Sequence, residues 1–234
     1  MARLEMTTYT RSIGGLLFAL FMPTGLFLLA TWLWYPEPAW GLAVPHITTI
    51  VVLSSGLFSI GVAVTQQRLD GTLRTYLSSP LSRKAYFLGQ VIDRMAVTIV
   101  GIIILIVCAR LFRGVFFDGN TLIFLGCVLI ALINMILFGF LLASRYTSVE
   151  VAGGSSSLLF IAIFMLSGYV SLPIPDWGKE VISYLPFEPV VKLLEAGWSG
   201  NFEGSWQNLG VCLAWSAIFL LLTIKFFKWS RNDR

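Results

Sequence analysis

Residues 66–84 read Q-Q-R-L-D-G-T-L-R-T-Y-L-S-S-P-L-S-R-K. They form the longest polar interruption in the apolar first half of the chain. Arg68, Arg74, Arg83 and Lys84 stand there against one carboxylate, Asp70. From Leu73 onward, Leu73, Tyr76, Leu77 and Leu81 fall at helical spacing, with Thr72, Arg74, Thr75 and Ser78 between them. Gly71 and Pro80 punctuate the two ends. The pattern predicts a short amphipathic helix on the cytoplasmic side, presented to another molecule. An ordinary basic loop that only fixes topology fits the same spacing.

The rest of the chain sets the class. Of its 234 residues, 57% are hydrophobic and only 12% charged, with a mean hydropathy of +0.83. Soluble domains carry roughly 25% charged residues, so this is an all-α, polytopic membrane protein. The net charge of +4 needs no nucleic acid to explain it, because Lys and Arg accumulate on cytoplasmic loops. Cys108, Cys127 and Cys212 lie inside apolar runs without metal-ligand spacing and read as small core residues. The N-terminus lacks the small-residue site of a cleavable signal.

Six spans are expected, at residues 13–34, 44–64, 90–112, 121–143, 151–172 and 209–227, all within one transmembrane domain covering 1–234. Residues 1–12 suggest an amphipathic N-terminal helix in the interface, with a disordered tail as the other reading. Residues 173–208, interrupted by Pro175, Pro186, Pro189 and Gly197, are expected as an outer excursion of short re-entrant or interfacial helices. With both termini cytoplasmic, the outer segments hold only Arg110, Arg113, Lys179 and Lys192 of the 16 Lys and Arg. The positive-inside rule supports that orientation.

In this setting the R-L-D-G-T-L-R-T-Y-L-S-S-P-L-S-R segment after span two resembles the one that precedes the third span in permease subunits of ABC-2 type transporters. A second stretch, residues 165–194, reads M-L-S-G-Y-V-S-L-P-I-P-D-W-G-K-E-V-I-S-Y-L-P-F-E-P-V-V-K-L-L. It resembles that family's fifth span and the outer excursion before the sixth. Gln66 and Gln67 stand where the family often has acidic residues. The resemblance implies a half-channel: two permease copies, a homodimer, with two separate ABC ATPase subunits docked beneath. Residues 66–84 would then hold the coupling helix, with Leu73, Tyr76 and Leu77 as anchors and Arg68, Asp70 and Arg74 at the rim. ATP and Mg would be bound by the partner, since this chain has no G-x-x-x-x-G-K-[ST] phosphate loop and no cofactor of its own is expected.

Other residues carry two readings each. Asn134, mid-span, is either a cavity residue or a helix–helix hydrogen bond worth about 1 kcal/mol. Glu150 is a cavity residue or an interface charge beside Arg145. The Gly153-Gly154 run suits a subunit seam or packing within the chain. Trp177 and Tyr184 dip into lipid or line the exit. Glu188 and Lys192 are spaced as a helix-surface pair. His46, the single histidine, reads as structural. There is no G-x-S-x-G, no H-E-x-x-H and no carboxylate pair inside a span, so catalytic and metal sites are not expected.

The functional expectation is the permease subunit of an ATP-driven exporter in a bacterial cytoplasmic membrane. Its cargo would be amphipathic: a drug or antibiotic, a lipid-like molecule or a hydrophobic peptide. Two alternatives stay open at this point, an exporter of lipid-linked polysaccharide or another cell-surface glycan, and a non-transporting anchor or sensor subunit.

Overall fold

The computed structural model describes residues 13–33, 35, 37, 39–77, 83–117, 119–166 and 175–227. Those residues form helices and the turns between them, with no strand among them. Helix α1 is Ile13–Leu33. Helix α2, Trp40–Ser54, runs on through a π-helical segment, Ser55–Val62, into α3, Ala63–Leu69. After a turn come α4, Thr72–Leu77, and α5, Arg83–Arg113. Helix α6 is Thr121–Ala143 and α7 is Val149–Leu166. Two shorter helices follow, α8 (Asp176–Ser183) and α9 (Glu188–Ser199). Helix α10, Ser205–Phe226, ends the described chain.

Five helical stretches among the described residues are long and apolar enough to cross a bilayer: Trp40–Leu69, Ala85–Arg113, Thr121–Ala143, Val149–Leu166 and Ser205–Phe226. A shorter apolar stretch, Leu20–Leu33, lies within α1. The fourth expected span matches α6 residue for residue. Helix α5 begins at Arg83, before the start of the third expected span, and runs through Gly89 without a break. At 31 residues α5 is about 46 Å long, against a hydrocarbon core of about 30 Å. A helix of that length either tilts in the bilayer or extends beyond it. The expected N-terminal amphipathic helix, residues 78–82 of the basic segment and the end of the fifth span all lie outside the described residues.

Local chemistry explains the ends and the π segment. The Asn120 side chain accepts from the amides of Leu122 (2.9 Å) and Ile123 (3.4 Å), capping α6. Ser54 and Ser55 both donate to the carbonyl of Val51, each at 2.9 Å. Back-bonding of this kind competes with the helical ladder where the wider turns begin.

The α2–π–α3 run and α6 form the centre of the bundle. The π segment packs on α6, α1 lies against α5 and α2, and α9 against α2, α6 and α10. Trp40–Leu69 and Thr121–Ala143 bury 67% and 50% of their apolar windows, whereas the α7 and α10 windows bury 17% each. The exposed faces of those outer helices are apolar, with Leu158, Ile161, Leu221 and Ile224 all outward.

At the centre two backbones touch. A Cβ at Gly139 would collide with the carbonyl oxygen of Gly56, and one at Gly56 with the carbonyl of Met135. Small residues permit this approach, and packing between backbones is what holds helices together once lipid surrounds them. Gly139→Ala should therefore cost about 1–3 kcal/mol of stability, read as a lower unfolding temperature in detergent. Gly126→Ala, at a site with nothing within 4 Å, should leave that temperature unchanged.

Candidate functional site

The basic segment turns at Gly71. Its φ of 77° is left-handed, a conformation open to glycine at little cost. The amide of Asp70 donates to the Gln66 carbonyl at 2.8 Å, ending α3, and the six-residue α4 starts at once in a new direction. Two side chains just before the turn are tied down. Gln67 Oε1 accepts from the Tyr86 hydroxyl at 2.7 Å and from Gln90 Nε2 at 3.5 Å, which joins α3 to α5. Arg68 is 6% exposed, and its guanidinium donates to the carbonyl of Tyr146 in the turn between α6 and α7. The Tyr146 hydroxyl is 3.2 Å from Ser156 Oγ on α7, and Ser156 donates to the Leu57 carbonyl at 3.2 Å. Burial of Tyr146 pushes its phenol up, and the Ser156 contact pulls it back in part.

The expected anchor set divides accordingly. Leu73 is fully buried in the chain's own core, and Arg68 points inward. Asp70 and Thr75 are exposed. The side chains of Arg74, Tyr76 and Leu77 lie outside the described residues. Helical spacing identifies an apolar face on α4. It does not say that the first residue of that face belongs to the protein's own interior.

The candidates for a translocation path are not brought together. Asn134 is fully buried, and its amide donates to the Cys212 carbonyl (2.9 Å) and to Ser216 Oγ (3.1 Å), bonding α6 to α10. Glu150 is exposed in the first turn of α7, while Arg145 stacks 4.8 Å over the Phe226 ring. Trp177 and Tyr184, 73% and 54% exposed, share an outward apolar face of α8 with Val181. The Trp215 indole fixes that helix's end by donating to the Tyr184 carbonyl at 2.8 Å. Between α2, α6, α7 and α9, a cavity of about 10 Å³ is lined by Thr49, Leu53, Met135, Ile163, Phe187 and Val190. That is room for one water at most.

At the end remote from α4, a polar cluster pins α9 to the bundle. The Tyr35 hydroxyl meets His46 Nδ1, and His46 Nε2 lies 2.9 Å from Glu195 Oε1. Lys192 Nζ lies 3.6 Å from Glu195 Oε2, so Lys192 sits with Glu195, three residues on. Glu195 carried no motif, and only the fold brings it to His46. Among the described residues no cluster suited to a metal ion occurs.

Burial pushes the Glu195 carboxyl up, but the His46 hydrogen bond and the Lys192 charge outweigh it and hold the group below its ordinary range. A depressed carboxyl stabilises the fold at neutral pH and loses that contribution as pH falls through its folded value. Acidification below about pH 4 should therefore lower the unfolding temperature more in the wild type than in Glu195→Gln. Equal acid sensitivity would contradict the cluster's role in holding α9.

Comparison with known proteins adds what geometry leaves open. Residues 39–225 match the model of a family described as ABC-2 family transporter protein. The chain is also 21% identical over 183 residues to a protein of Bacillus subtilis (strain 168) named "Putative transport permease YvfS". That alignment covers 76% of this chain and 73% of the relative.

Proposed function

The chain belongs to the ABC-2 family of transporter proteins, and from that premise we propose that it is the permease subunit of an ATP-driven exporter of amphipathic cargo. A multi-pass membrane subunit of a transporter is what the family and the apolar helices establish. An ABC ATPase as partner follows from family membership in general. The export direction, the cargo and the stoichiometry are our reading.

One observation carries it. The bundle presents a six-residue helix, α4, immediately after a glycine turn, in the segment whose sequence carries Arg68, Arg74, Arg83 and Lys84. A docked partner can push a bundle only through an element held firmly at its root, and Gln67 and Arg68 supply that root. We place this end in the cytoplasm, where positive loops accumulate. The motor is a separate pair of ATPase subunits gripping α4, and it alone binds ATP and Mg. Asp70 and Thr75 face the partner in this arrangement.

The cargo route lies between two copies of the chain. Inside one copy the cavity between α2, α6, α7 and α9 holds only about 10 Å³. Helix α7 exposes most of its apolar length, and Gly153 and Gly154 on it have open space where side chains would stand. Small residues on an uncovered membrane helix favour close approach by another. A lipid-bounded seam of this kind suits a drug, a lipid-like molecule or a hydrophobic peptide, which enters from the inner leaflet or the cytoplasm.

Two experiments follow. The full chain, extracted from its native membrane, should retain an ATP-hydrolysing protein. Thr75→Glu should cut that retention about tenfold, the loss of one contact worth about 1.4 kcal/mol, without altering the unfolding temperature. A retained partner without a nucleotide site, or undiminished retention, would contradict the docking role. For the seam, Gly154→Cys should form a disulfide-linked dimer on mild oxidation in membranes. Failure to cross-link would exclude α7 as the meeting helix.

A further inference from the structure

We propose that Arg68 is a positioning residue that couples α4 to α7, so that displacement of α4 by a docked partner moves α7 through the turn at Tyr146. This deepens the functional reading above and rests on it.

Arg68 is costly to bury. A guanidinium that is 6% exposed has lost most of its water, and its described acceptor is a neutral carbonyl, that of Tyr146. Charge buried on those terms contributes little to stability, and an apolar side chain of similar length often serves a fold as well or better. What Arg68 supplies is a connection. The residue stands two positions before Asp70, where α3 gives way to the turn at Gly71. Whatever moves α4 moves the end of α3 first.

The connection continues past Tyr146. Its hydroxyl donates to Ser156 Oγ, and the Ser156 hydroxyl donates to the Leu57 carbonyl. Ser156 is fully buried. A closed loop of contacts thus runs from Leu57, through α7, the α6–α7 turn and Arg68, back to the same continuous helix. The loop encloses most of the π-helical segment Ser55–Val62, a geometry frequent at functional sites.

The packing of α7 gives this loop its importance. Helix α7 rests on the π segment, with lesser contact to α2 and α3, and only 17% of its apolar window is buried. The Gly56–Gly139 contact anchors the upper part of the π segment to α6. The lower part, with α3, is held to α7 by Arg68 and Tyr146. A push on α4 is therefore resisted at Gly56 and passed on at Arg68. The helix that receives it is the one proposed to meet the second copy.

The test is hydrogen exchange on the intact chain–ATPase complex, with and without ATP and vanadate. In the wild type, nucleotide should change amide exchange both at residues 63–77 and at residues 149–157. Arg68→Met should keep the first response and reduce the second about threefold or more, within the range by which residues along a coupling path alter it. Arg68→Lys, which restores a cationic donor, should recover part of it. Ser156→Ala, which leaves Arg68 in place, should also diminish the response at 149–157, and it decides the matter if Arg68→Met does not fold. An undiminished response at 149–157 in both variants overturns the proposal, as does a wild type in which 149–157 never responds. A wild type that shows no nucleotide response at 63–77 instead overturns the docking reading itself.

Discussion

The bundle depends on one contact, the backbone crossing of Gly56 and Gly139. In hydrocarbon there is no hydrophobic drive to press two apolar helices together, so they associate by close packing and by polar bonds that lipid cannot supply. Here the crossing sets α6 against the α2–π–α3 run. Asn134, near the same level of α6, adds its bonds to Cys212 and Ser216 on α10. With those two helices placed, α9 seals against both, with Cys127 of α6 at 3.0 Å from where a Cβ on Gly197 would lie. Helices α5, α7 and α10 are left with apolar flanks that only lipid or another copy can cover.

Charge is deployed at the two ends with different consequences. At the α4 end, Gln67 and Arg68 spend their hydrogen bonds inward, on Tyr86, Gln90 and the Tyr146 carbonyl. That ties down the root of α4, while Asp70 and Thr75 remain exposed. At the other end, His46 and Glu195 join α2 to α9, and Arg113 reaches Thr31 at 3.1 Å while lying 4.9 Å over the Trp40 ring. Between these ends α7 is tied to the bundle through Ser156, which bonds the Leu57 carbonyl and meets the Tyr146 hydroxyl.

Much of this was legible in the sequence, because long apolar runs and their flanking charges are physical constraints on crossing a bilayer. The span of α6 follows directly from residues 121–143, and the helix at 72–77 from apolar spacing after Gly71. The family resemblance, carried by residues 66–84 and 165–194, agrees with the family match at residues 39–225. What the sequence did not disclose was direction within the bundle. Leu73 and Arg68 read as surface contacts because periodicity marks a face without saying what covers it. The π segment was hidden because its composition, S-G-L-F-S-I-G-V, is ordinary for a span, and serines that back-bond to the preceding turn are common in regular helices too. The pairing of His46 with Glu195 joins residues 149 apart, a proximity that no local pattern encodes.

The central claim is that the end bearing α4 is the end a soluble motor grips. Thr75 is exposed on that helix, so Thr75→Cys, in a background without Cys108, Cys127 and Cys212, reports its side directly. A membrane-impermeant thiol reagent should label it in inside-out vesicles and leave it unlabelled in intact cells. Labelling from outside intact cells would put α4 beyond the reach of any cytoplasmic ATPase and contradict the account.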